Sequence, residues 1–428
     1  MTLVYFGLGS NLGDRTANLE KSIQLLQENG FRLSRVSPVV ESPALLPEGA
    51  PSAWNIPFLN LVIEGDVDDA PAHWLKINKD IQNIMGRTNA SRWSPRPVDI
   101  DILLWGDEVI ETEDLTIPHK DLHKRAFVVS PLAHLRPDLQ IPGRDTTTIL
   151  EHARGLHHHI PLWMGIVNIT PDSFSDGNIN FDQEDAERTI TEMIEAGVHI
   201  IDVGAESTRP GATPINSDEE WQRLRPTLEL IKEKTGDSLL RPIISIDTRH
   251  ADVARRALDL GVDIINDVSG LTNSEMLELA RENDHDWVAM HHVTIPVDSN
   301  RKIAQECDPV AEVCDWFEQR MEVWDKAGID RNRIILDPGI GFGKDSLHSL
   351  ELMRHIQTLQ KFNMRLLVGH SRKSFMKAFS EIPAADRDIE TVGASLKLCD
   401  KGVDIIRVHN VPTHVRAYTA WAHLEPYQ

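Results

Sequence analysis

The stretch Asp337-Pro-Gly-Ile-Gly-Phe-Gly-Lys344 decides the fold of the second half of this chain. An apolar run, Arg333-Ile-Ile-Leu336, leads directly into it, so a short strand ends on an acid, a proline and three glycines. Glycine has no side chain to keep a ligand away from the backbone. This composition predicts a loop that approaches a ligand closely at the end of a strand.

Seven other apolar runs in this half also end on polar residues, and their spacing is typical of a repeated strand and helix unit. They are Leu162–Asn168, Ile200–Glu206, Ile243–Asp247, Ile264–Asp267, Trp287–His291, Leu366–Ser371 and Ile405–His409. Eight such runs predict an α/β fold of the (β/α)8 or TIM-barrel type. In this fold the site lies at the carboxyl ends of the strands.

The length of 428 residues exceeds one ordinary domain and indicates two or three. A barrel of about 250 residues accounts for the C-terminal part, so we expect one domain over residues 1–158 and a barrel over residues 159–428. The run His157-His-His159 lies between them. We expect a solvated linker there rather than a metal site, because polar runs between periodic segments are usually loops.

The net charge of −22 argues against binding to nucleic acid or to an anionic membrane surface, since both require a basic surface. The cysteines Cys307, Cys314 and Cys399 have neither the spacing of a disulfide framework nor that of a metal site. No apolar run approaches the roughly 18 residues of a membrane span. We therefore expect a cytoplasmic enzyme that acts on small molecules.

In the first half, strands are predicted at residues 2–8, 59–64 and 98–105, and helices at residues 19–28 and 72–85. This alternation without a regular parallel repeat indicates a small α+β fold. The run Gly7-Leu-Gly-Ser-Asn-Leu-Gly13 lacks the glycine spacing of a dinucleotide fingerprint, so we interpret it as a structural turn.

The chemical signal of the first half is the tract from Arg92 to Asp101. Asp99 and Asp101 project from one face of a strand, with α-carbons about 6.5 to 7 Å apart. Two carboxylates so placed can bridge a pair of magnesium ions, and Arg87, Arg92 and Arg96 can bind phosphate oxygens. The alternative is a solvated strand face on which acids and arginines merely pair.

This half resembles the 6-hydroxymethyl-7,8-dihydropterin pyrophosphokinase family over nearly its whole length. The matching pieces are Tyr5–Asp14, Ser42-Pro43, Phe58–Asn60, Gly86-Arg87, Arg92–Asp101, Pro118-His119 and Arg125–Phe127. The resemblance implies a ferredoxin-like fold that transfers a diphosphoryl group from ATP to the pterin hydroxymethyl group. Two departures are Gln82, where the family usually has glutamate, and Asn89, where arginine is common.

The resemblance also implies roles for individual residues of this half. Two Mg²⁺ would be held by Asp99 and Asp101, which act in catalysis with Arg87 and Arg92. The ATP contacts would be Arg87, Arg92, Trp93, Arg96, His119 and Arg125. The pterin contacts would be Ser42, Pro43, Leu45, Phe58, Asn60 and Phe127, with the two phenylalanines on either side of the ring.

Five loop motifs converge on the predicted barrel face. They are Asn168–Gly177, Ala205–Pro214, Asp337–Lys344, Ser371-Arg372-Lys373 and Arg407-Val-His409, with Asp247 and Asn266 at two further strand ends. A single Asp or Asn at a strand end is often only the cap of the next helix. Capping does not explain Arg-x-His or Ser-Arg-Lys, so the set predicts a site that binds an anion.

These motifs resemble the dihydropteroate synthase family over residues 162–428. The resemblance implies condensation of the pterin diphosphate with 4-aminobenzoate, which sulfonamides imitate, and diphosphate as the leaving group. Asp247, Asn266, Met290, Asp337 and Lys373 would bind the pterin, with Asp247, Asp337 and Lys373 acting in catalysis. Asn168, which would also ligate one Mg²⁺, Asp176, Arg209, Arg407 and His409 would hold the diphosphate. Thr208, Pro210, Phe342, Lys373 and Ser374 would line the aminobenzoate pocket.

Two alternatives remain open at this point. A barrel of the methyltetrahydrofolate-corrinoid methyltransferase type also carries Asp and Asn at its strand ends. The first half could instead be a degenerate regulatory module on a monofunctional synthase, and Gln82 and Asn89 keep that alternative open. A homodimer through the barrel is the assembly that we consider.

Overall fold

The structure is a computed structural model that describes residues 1–87, 93–156, 159–169, 179–207, 213–298 and 300–424. It divides into two compact units. The first unit contains Met1–Ile160, with Ser238–Arg241 and the end of the chain, and the second contains Pro161–Asp237 and Pro242–Trp421.

The first unit is built on an antiparallel sheet. Its strands are β1 (Thr2–Ser10), β2 (Arg32–Val36), β3 (Val40–Ser42), β4 (Phe58–Val67), β5 (Asp99–Trp105), β6 (Ile110–Glu111) and β7 (Thr116–Ile117). Its helices are α1 (Arg15–Glu28), α2 (Pro71–Ile84), α3 (Ala126–Leu135) and α4 (Ile149–Gly155), with 3-10 turns at Ser52–Trp54 and Leu122–Lys124. The sheet order is β2-β4-β1-β5, with β3 also paired to β4 and a separate β6-β7 pair.

Each face of this sheet carries its own apolar core. Leu19 and Ile23 of α1 and Trp74 of α2 pack with Phe6 and Ile102 on one face. Residues of α3 and α4 form the core of the other face: Val129, Leu132, Ile149 and Ala153, with Val62 and Leu103 of the sheet. Ile100 and Ile102 belong to the core that α1 and α2 cover, and Asp99 and Asp101 face the other way.

The second unit is a closed barrel of parallel strands. They are β8 (Leu162–Asn168), β9 (Ile200–Gly204), β10 (Ile243–Asp247), β11 (Ile264–Asp267), β12 (Asp286–Met290), β13 (Ile334–Asp337), β14 (Arg365–Val368) and β15 (Ile405–Val408). Helices alternate with them: α5 (Ile179–Glu195), α6 (Ser217–Thr235), α7 (Ala251–Asp259), α8 (Ser274–Glu282), α9 (Pro309–Ala327), α10 (Ser346–Arg354), α11 (Asp388–Asp400) and α12 (Val411–Leu424). Short 3-10 helices lie at Arg331–Arg333, Ile356–Phe362, Ser374–Ala378 and Ala384–Asp386. The barrel and the ferredoxin-like class are thus confirmed.

Local side chains set several helix ends. The Asp14 carboxylate accepts a hydrogen bond from the backbone of Ala17 and begins α1. Asp308 does the same for α9, which ends at Gly328 in the left-handed conformation. Such caps satisfy backbone groups that have no partner within the helix.

Two predictions of loop structure need correction. The side chain of His159 is only 4% exposed, so the prediction of a solvated linker is wrong for this residue, while His157 and His158 lie outside the described residues. The run Gly7–Gly13 is not only a turn, since Gly7 and Gly9 lie inside β1. Cys307 is exposed, and Cys314 and Cys399 are buried free thiols.

Two candidate active sites

In the first unit, Asp99 and Asp101 stand on one face of β5 and contact arginines from three other places. Arg87 donates to the Asp99 carboxylate at 2.6 Å, and Arg96 donates to its other oxygen at 3.0 Å. Arg125 lies 3.8 Å from Asp101. The fold therefore brings Asp99 and Asp101 together with Arg87 and Arg96 of the predicted cluster.

The ionised form of Asp101 is disfavoured in this cluster. Burial, and next the nearby charge of Asp99, raise its pKa to about 6. Two adjacent carboxylates with incomplete neutralisation are a suitable donor set for divalent cations, because a bound cation removes their repulsion. Among the described residues no three His, Cys, Asp or Glu side chains form a metal cluster. Any Mg²⁺ would therefore take its other ligands from phosphate and water.

A cavity of about 210 Å³ lies beside the two acids. Its lining includes the predicted nucleotide residues Arg87, Trp93, Arg96, His119 and Arg125, together with the predicted pterin residues Ser42, Pro43, Leu45, Phe58, Asn60 and Phe127. Arg92, the remaining predicted nucleotide contact, lies outside the described residues. One cavity thus joins both predicted groups to Asp99 and Asp101.

His119 has a defined orientation at this cavity. Its Nδ1 accepts a hydrogen bond from the backbone N–H of Asp121 at 3.3 Å. Burial, and next the charge of Arg125, lower the His119 pKa to about 4. The ring is therefore neutral near pH 7, and its proton is on Nε2, which can donate to a ligand oxygen.

The pterin side of the cavity is shaped by β1, β3 and β4. Asn60 donates to the Ser42 hydroxyl at 3.0 Å, which fixes its amide. A Cβ on Gly9 would lie 3.1 Å from the Asn60 oxygen and 3.4 Å from the Phe58 ring. Glycine in β1 thus makes room for these two side chains.

Gln82 lies behind β5 and does not line the cavity. Its Oε1 accepts from the Ile100 N–H at 3.4 Å, and its Nε2 donates to the Asn78 carbonyl at 3.1 Å. It supports the backbone between the two acids. Asn89, the other departure from the family pattern, lies outside the described residues.

In the barrel, Arg407 is held by two acids from neighbouring strands. Its Nε donates to Asp202 at 2.7 Å, and its terminal nitrogen lies 2.6 Å from Asp202 and 3.0 Å from Asp247. Burial raises the pKa of Asp247 to about 7, against the opposing effect of Arg407. Sequence reasoning placed Arg407 at the diphosphate and overlooked Asp202, which is buried two residues before the end of β9.

A second charged group surrounds the loop after β13. The Asp337 carboxylate accepts from the Gly339 N–H at 2.7 Å, and burial raises its pKa. Lys373 donates to the Ile340 carbonyl at 2.6 Å and lies 4.9 Å from the centre of the Phe342 ring. The structure therefore brings Asp337, Lys373 and Phe342 together, as predicted.

Lys344, at the end of the stretch quoted first, was given no role from the sequence. Its ammonium is buried and contacts His291 Nδ1 at 2.7 Å and the carbonyls of Gly339 and Phe342 at 3.0 and 3.1 Å. A Cβ on Gly339 would lie 1.9 Å from the His291 carbonyl oxygen. The loop is thus fixed against the segment after β12, so His291 has a structural role here.

The structure describes only some of the remaining predicted barrel residues. Asn168 lies at the end of β8, where it pairs in register with Gly204. Met290 pairs in register with Asp337. The His409 ring is 2.9 Å from the Ser371 hydroxyl. Asn266 is buried beside Asp202, and Ser374 is exposed. Asp176, Thr208, Arg209 and Pro210 lie outside the described residues.

Glu206 is a further residue whose partner the sequence did not reveal. Arg249 binds both of its oxygens, at 2.7 and 2.9 Å, and the Ile215 N–H donates to it at 3.2 Å. Glu206 and Ile215 flank the segment that contains Thr208. The sequence signals for this pair were an acid just after β9 and an arginine two residues after the end of β10.

Comparison with known families matches both units. The family described as 7,8-dihydro-6-hydroxymethylpterin-pyrophosphokinase matches residues 5–137, and the family described as pterin binding enzyme matches residues 164–409. The fold and the sites therefore define a two-unit pterin enzyme. The pyrophosphokinase and dihydropteroate synthase families use ATP and Mg²⁺.

Relatives that match the chain over nearly its full length define its family more closely. A folate synthesis bifunctional protein of Chlamydia trachomatis is 34% identical, covering 98% of each chain. The chain belongs to the family of bifunctional folate synthesis proteins. It has the pyrophosphokinase and dihydropteroate synthase activities of folate biosynthesis.

Two solved structures resemble the barrel. Dihydropteroate synthase from Anaplasma phagocytophilum, with bound 6-hydroxymethylpterin-monophosphate, is 36% identical with a TM-score of 0.55, covering 62% of this chain and 98% of that chain. The enzyme from Xanthomonas albilineans with 4-aminobenzoic acid is 33% identical with a TM-score of 0.55, covering 62% of this chain and 93% of that chain.

No helix within the described residues is long and apolar enough to cross a membrane.

Proposed function

We propose that residues 1–158 transfer the diphosphoryl group at the cavity beside Asp99 and Asp101, and that residues 159–428 perform the condensation at the barrel face. The observation that carries the first assignment is the shared cavity lining, in which nucleotide and pterin residues face the same pair of acids. A single space allows the pterin hydroxyl to approach the phosphate of ATP directly.

On the nucleotide side, Asp99 and Asp101 would hold two Mg²⁺. The metals would neutralise phosphate charge and orient the transferred group. Their binding would release Arg87 and Arg96 from Asp99 toward phosphate oxygens, for which the planar guanidinium is suited. Neutral His119 would donate from Nε2 to a phosphate oxygen, and Arg92, Trp93 and Arg125 complete the nucleotide contacts.

On the pterin side, Asn60 would hydrogen-bond the ring edge, and Phe58 and Phe127 would contact its faces. Ser42, Pro43 and Leu45 complete the pocket. The pterin hydroxyl oxygen forms a bond to the β-phosphorus of ATP, the bond from that phosphorus to the α-phosphate oxygen breaks, and AMP leaves. The hydroxyl proton is lost to solvent.

In the barrel, Asp247, Asp337, Asn266, Met290 and Lys373 would bind the pterin. The carbon–oxygen bond to the diphosphate breaks, the amine nitrogen of 4-aminobenzoate bonds to that carbon, and the amine loses a proton. Positive charge develops on the pterin, and the carboxylates of Asp247 and Asp337 stabilise it in a site with little water.

The anionic groups would bind at the rim of the barrel. Asn168, Asp176, Arg209, Arg407 and His409 would hold the diphosphate. A single amide oxygen from Asn168 suits one Mg²⁺ that keeps waters and phosphate oxygens as its other ligands. Thr208, Pro210, Phe342, Lys373 and Ser374 would contact 4-aminobenzoate, with the Lys373 ammonium near its carboxylate.

We further propose a homodimer through the barrel. Three large apolar side chains remain exposed in the second unit: Leu347 of α10, Phe379 after the 3-10 helix Ser374–Ala378, and Ile389 of α11. A second copy would cover them, which burial of apolar surface favours. Light scattering of wild-type protein and Ile389→Glu tests this, since a wild-type monomer would contradict it.

The cytoplasmic location stays a prediction, supported by free cysteines that suit a reducing compartment.

One incubation tests the two reactions together. Purified protein is mixed with hydroxymethyldihydropterin, ATP, Mg²⁺ and radiolabelled 4-aminobenzoate, and labelled dihydropteroate is expected. A parallel reaction starts from the pterin diphosphate and omits ATP. Product in the second reaction alone would mean that the first unit is a degenerate module.

A further inference from the structure

Asp202 is a fully buried carboxylate in the middle of β9. It contacts three other strands: Ser245 of β10 donates to one oxygen at 2.6 Å, and Asn266 of β11 donates to the other at 3.1 Å. Arg407 of β15 donates to that second oxygen through Nε at 2.7 Å. A buried charge with this many donors organises its neighbours, because each of them would lose a strong partner by moving.

The contacts divide Arg407 unequally between two acids. Asp202 receives both Nε and the terminal nitrogen, whereas Asp247 receives only the terminal nitrogen, at 3.0 Å. Without the charge of Asp202, the guanidinium would pair fully with Asp247. That pairing would occupy the carboxylate proposed above for the pterin.

Asp202 also fixes which atom Asn266 offers. The Asn266 amide nitrogen donates to Asp202, so its carbonyl oxygen is the atom left for a ligand donor. Pterin rings carry N–H donors on their pyrimidine edge. A fixed carbonyl oxygen therefore selects for that edge.

We propose that Asp202 is a positioning residue for pterin diphosphate binding, which keeps Arg407 from closing on Asp247 and orients Asn266. This inference rests on the substrate contacts proposed for Asp247 and Asn266. It assigns Asp202 no contact with the reacting atoms.

The test is Asp202→Asn, which keeps the shape of the side chain and removes its charge. With supplied pterin diphosphate and 4-aminobenzoate, we expect the KM for the pterin diphosphate to rise by about 10- to 100-fold, the range seen when a partner that orients a metal-binding side chain is lost. The KM for 4-aminobenzoate should change little. A general loss of barrel structure would not separate the two constants in this way.

Asp286→Asn is the matched control. Asp286 begins β12 at the opposite end of the barrel and binds Arg365 through two hydrogen bonds, of 2.7 and 2.8 Å. This variant also leaves an arginine without its acid, so its melting temperature should fall. Both KM values should stay at wild-type levels in the folded protein.

Ser245→Ala keeps the Asp202 charge and removes one donor, so a smaller rise in the same KM is expected. If Asp202→Asn does not fold, Ser245→Ala decides, and an unchanged KM for the pterin diphosphate would then overturn the proposal. An unchanged KM in folded Asp202→Asn would overturn it as well. Asp247→Ala tests the proposed pterin site separately from the role of Asp202. If this variant leaves pterin binding intact, the proposed pterin site is wrong.

Discussion

The acids of the first site, Asp99 and Asp101, lie two residues apart on one strand, whereas the barrel acids Asp202, Asp247 and Asp337 come from three strands. In the first site the acids face a cavity and their arginines approach from other segments. In the barrel, a single arginine, Arg407, joins acids from two different strands. Acids on one strand form a local motif in the sequence, whereas the contacts that join Arg407 to Asp202 and Asp247 appear only in the fold.

The largest expected effect separates the two sites by single substitutions. Asp99→Asn or Asp101→Asn should lower diphosphoryl transfer by about 10²- to 10³-fold or more, because each removes a charge from the metal-binding pair. Dihydropteroate formation from supplied pterin diphosphate should persist. Asp337→Asn should do the reverse.

Assays of each reaction alone measure this separation, with Asp107→Asn as control. Asp107 is an exposed acid just after β5. Loss of both reactions in Asp99→Asn would contradict independent sites. No loss of diphosphoryl transfer in either acid variant would support the degenerate module.

Lys373→Ala should reduce turnover of the condensation by about 10²- to 10³-fold. Its ammonium lies between the Ile340 carbonyl and the Phe342 ring, and burial makes its charge unfavourable for folding. Removal should therefore cost little stability. The measurements are turnover and melting temperature, with the exposed Lys377→Ala as control, and a large fall in melting temperature with normal turnover would contradict the role.

The condensation should lose activity as pH rises through about 8, approaching tenfold per unit. Burial lowers the pKa of Lys373 to about 8 against the nearby charge of Asp337, with Arg407 lowering it and Asp247 raising it. Above that pH the folded enzyme loses the lysine charge. The unfolded chain still binds this proton up to the ordinary lysine pKa, so stability should rise with pH in that interval. A pH–rate profile of Lys373→Arg should lack the alkaline loss, and an unchanged profile would refute the assignment.

Sulfonamides should compete with 4-aminobenzoate in the barrel and leave diphosphoryl transfer unaffected. An aryl sulfonamide copies the ring, the amine and the anionic end of 4-aminobenzoate. Diphosphate should tighten its binding by about tenfold, within the usual range of coupling between ligands, because the diphosphate proposed at Asn168 and the ligand proposed at Thr208 would occupy adjoining parts of one site. Calorimetry with and without diphosphate measures this, and equal affinity would contradict ordered binding.

The smallest expected effect compares one added methyl group at each site. Gly9→Ala would place a Cβ 3.1 Å from the Asn60 oxygen, and Gly204→Ala would place one 3.3 Å from Asp247 Cβ. Each should cost about 1 kcal/mol, the low end of overpacking, and raise only its own pterin KM. Gly155→Ala and Gly393→Ala, whose added Cβ meets no atom within 4 Å, are the controls. A change in the other site's KM would contradict the comparison.

Local sequence patterns predicted much of this molecule and failed where contacts are distant. The barrel strands were found because each apolar run ends on a polar residue, although β14 ends at Val368 and not at Ser371. The edge strand β2 was missed because Arg32–Val36 mixes charged and apolar residues without a clear period. Asp202 was missed because it precedes the strand end, and its partners lie 43 to 205 residues away in the chain. A lone acid inside an apolar run, on the inward face, was the signal available.

The thiols of the barrel offer a practical route to following these reactions. Cys307 is exposed, whereas Cys314 and Cys399 are buried. Cys307 lies between β12 and α9, in one of the connections that follow the carboxyl end of a strand. A maleimide fluorophore would therefore attach at one position of the natural protein and report ligand arrival at that end by stopped-flow fluorescence. No engineered cysteine is required for this measurement.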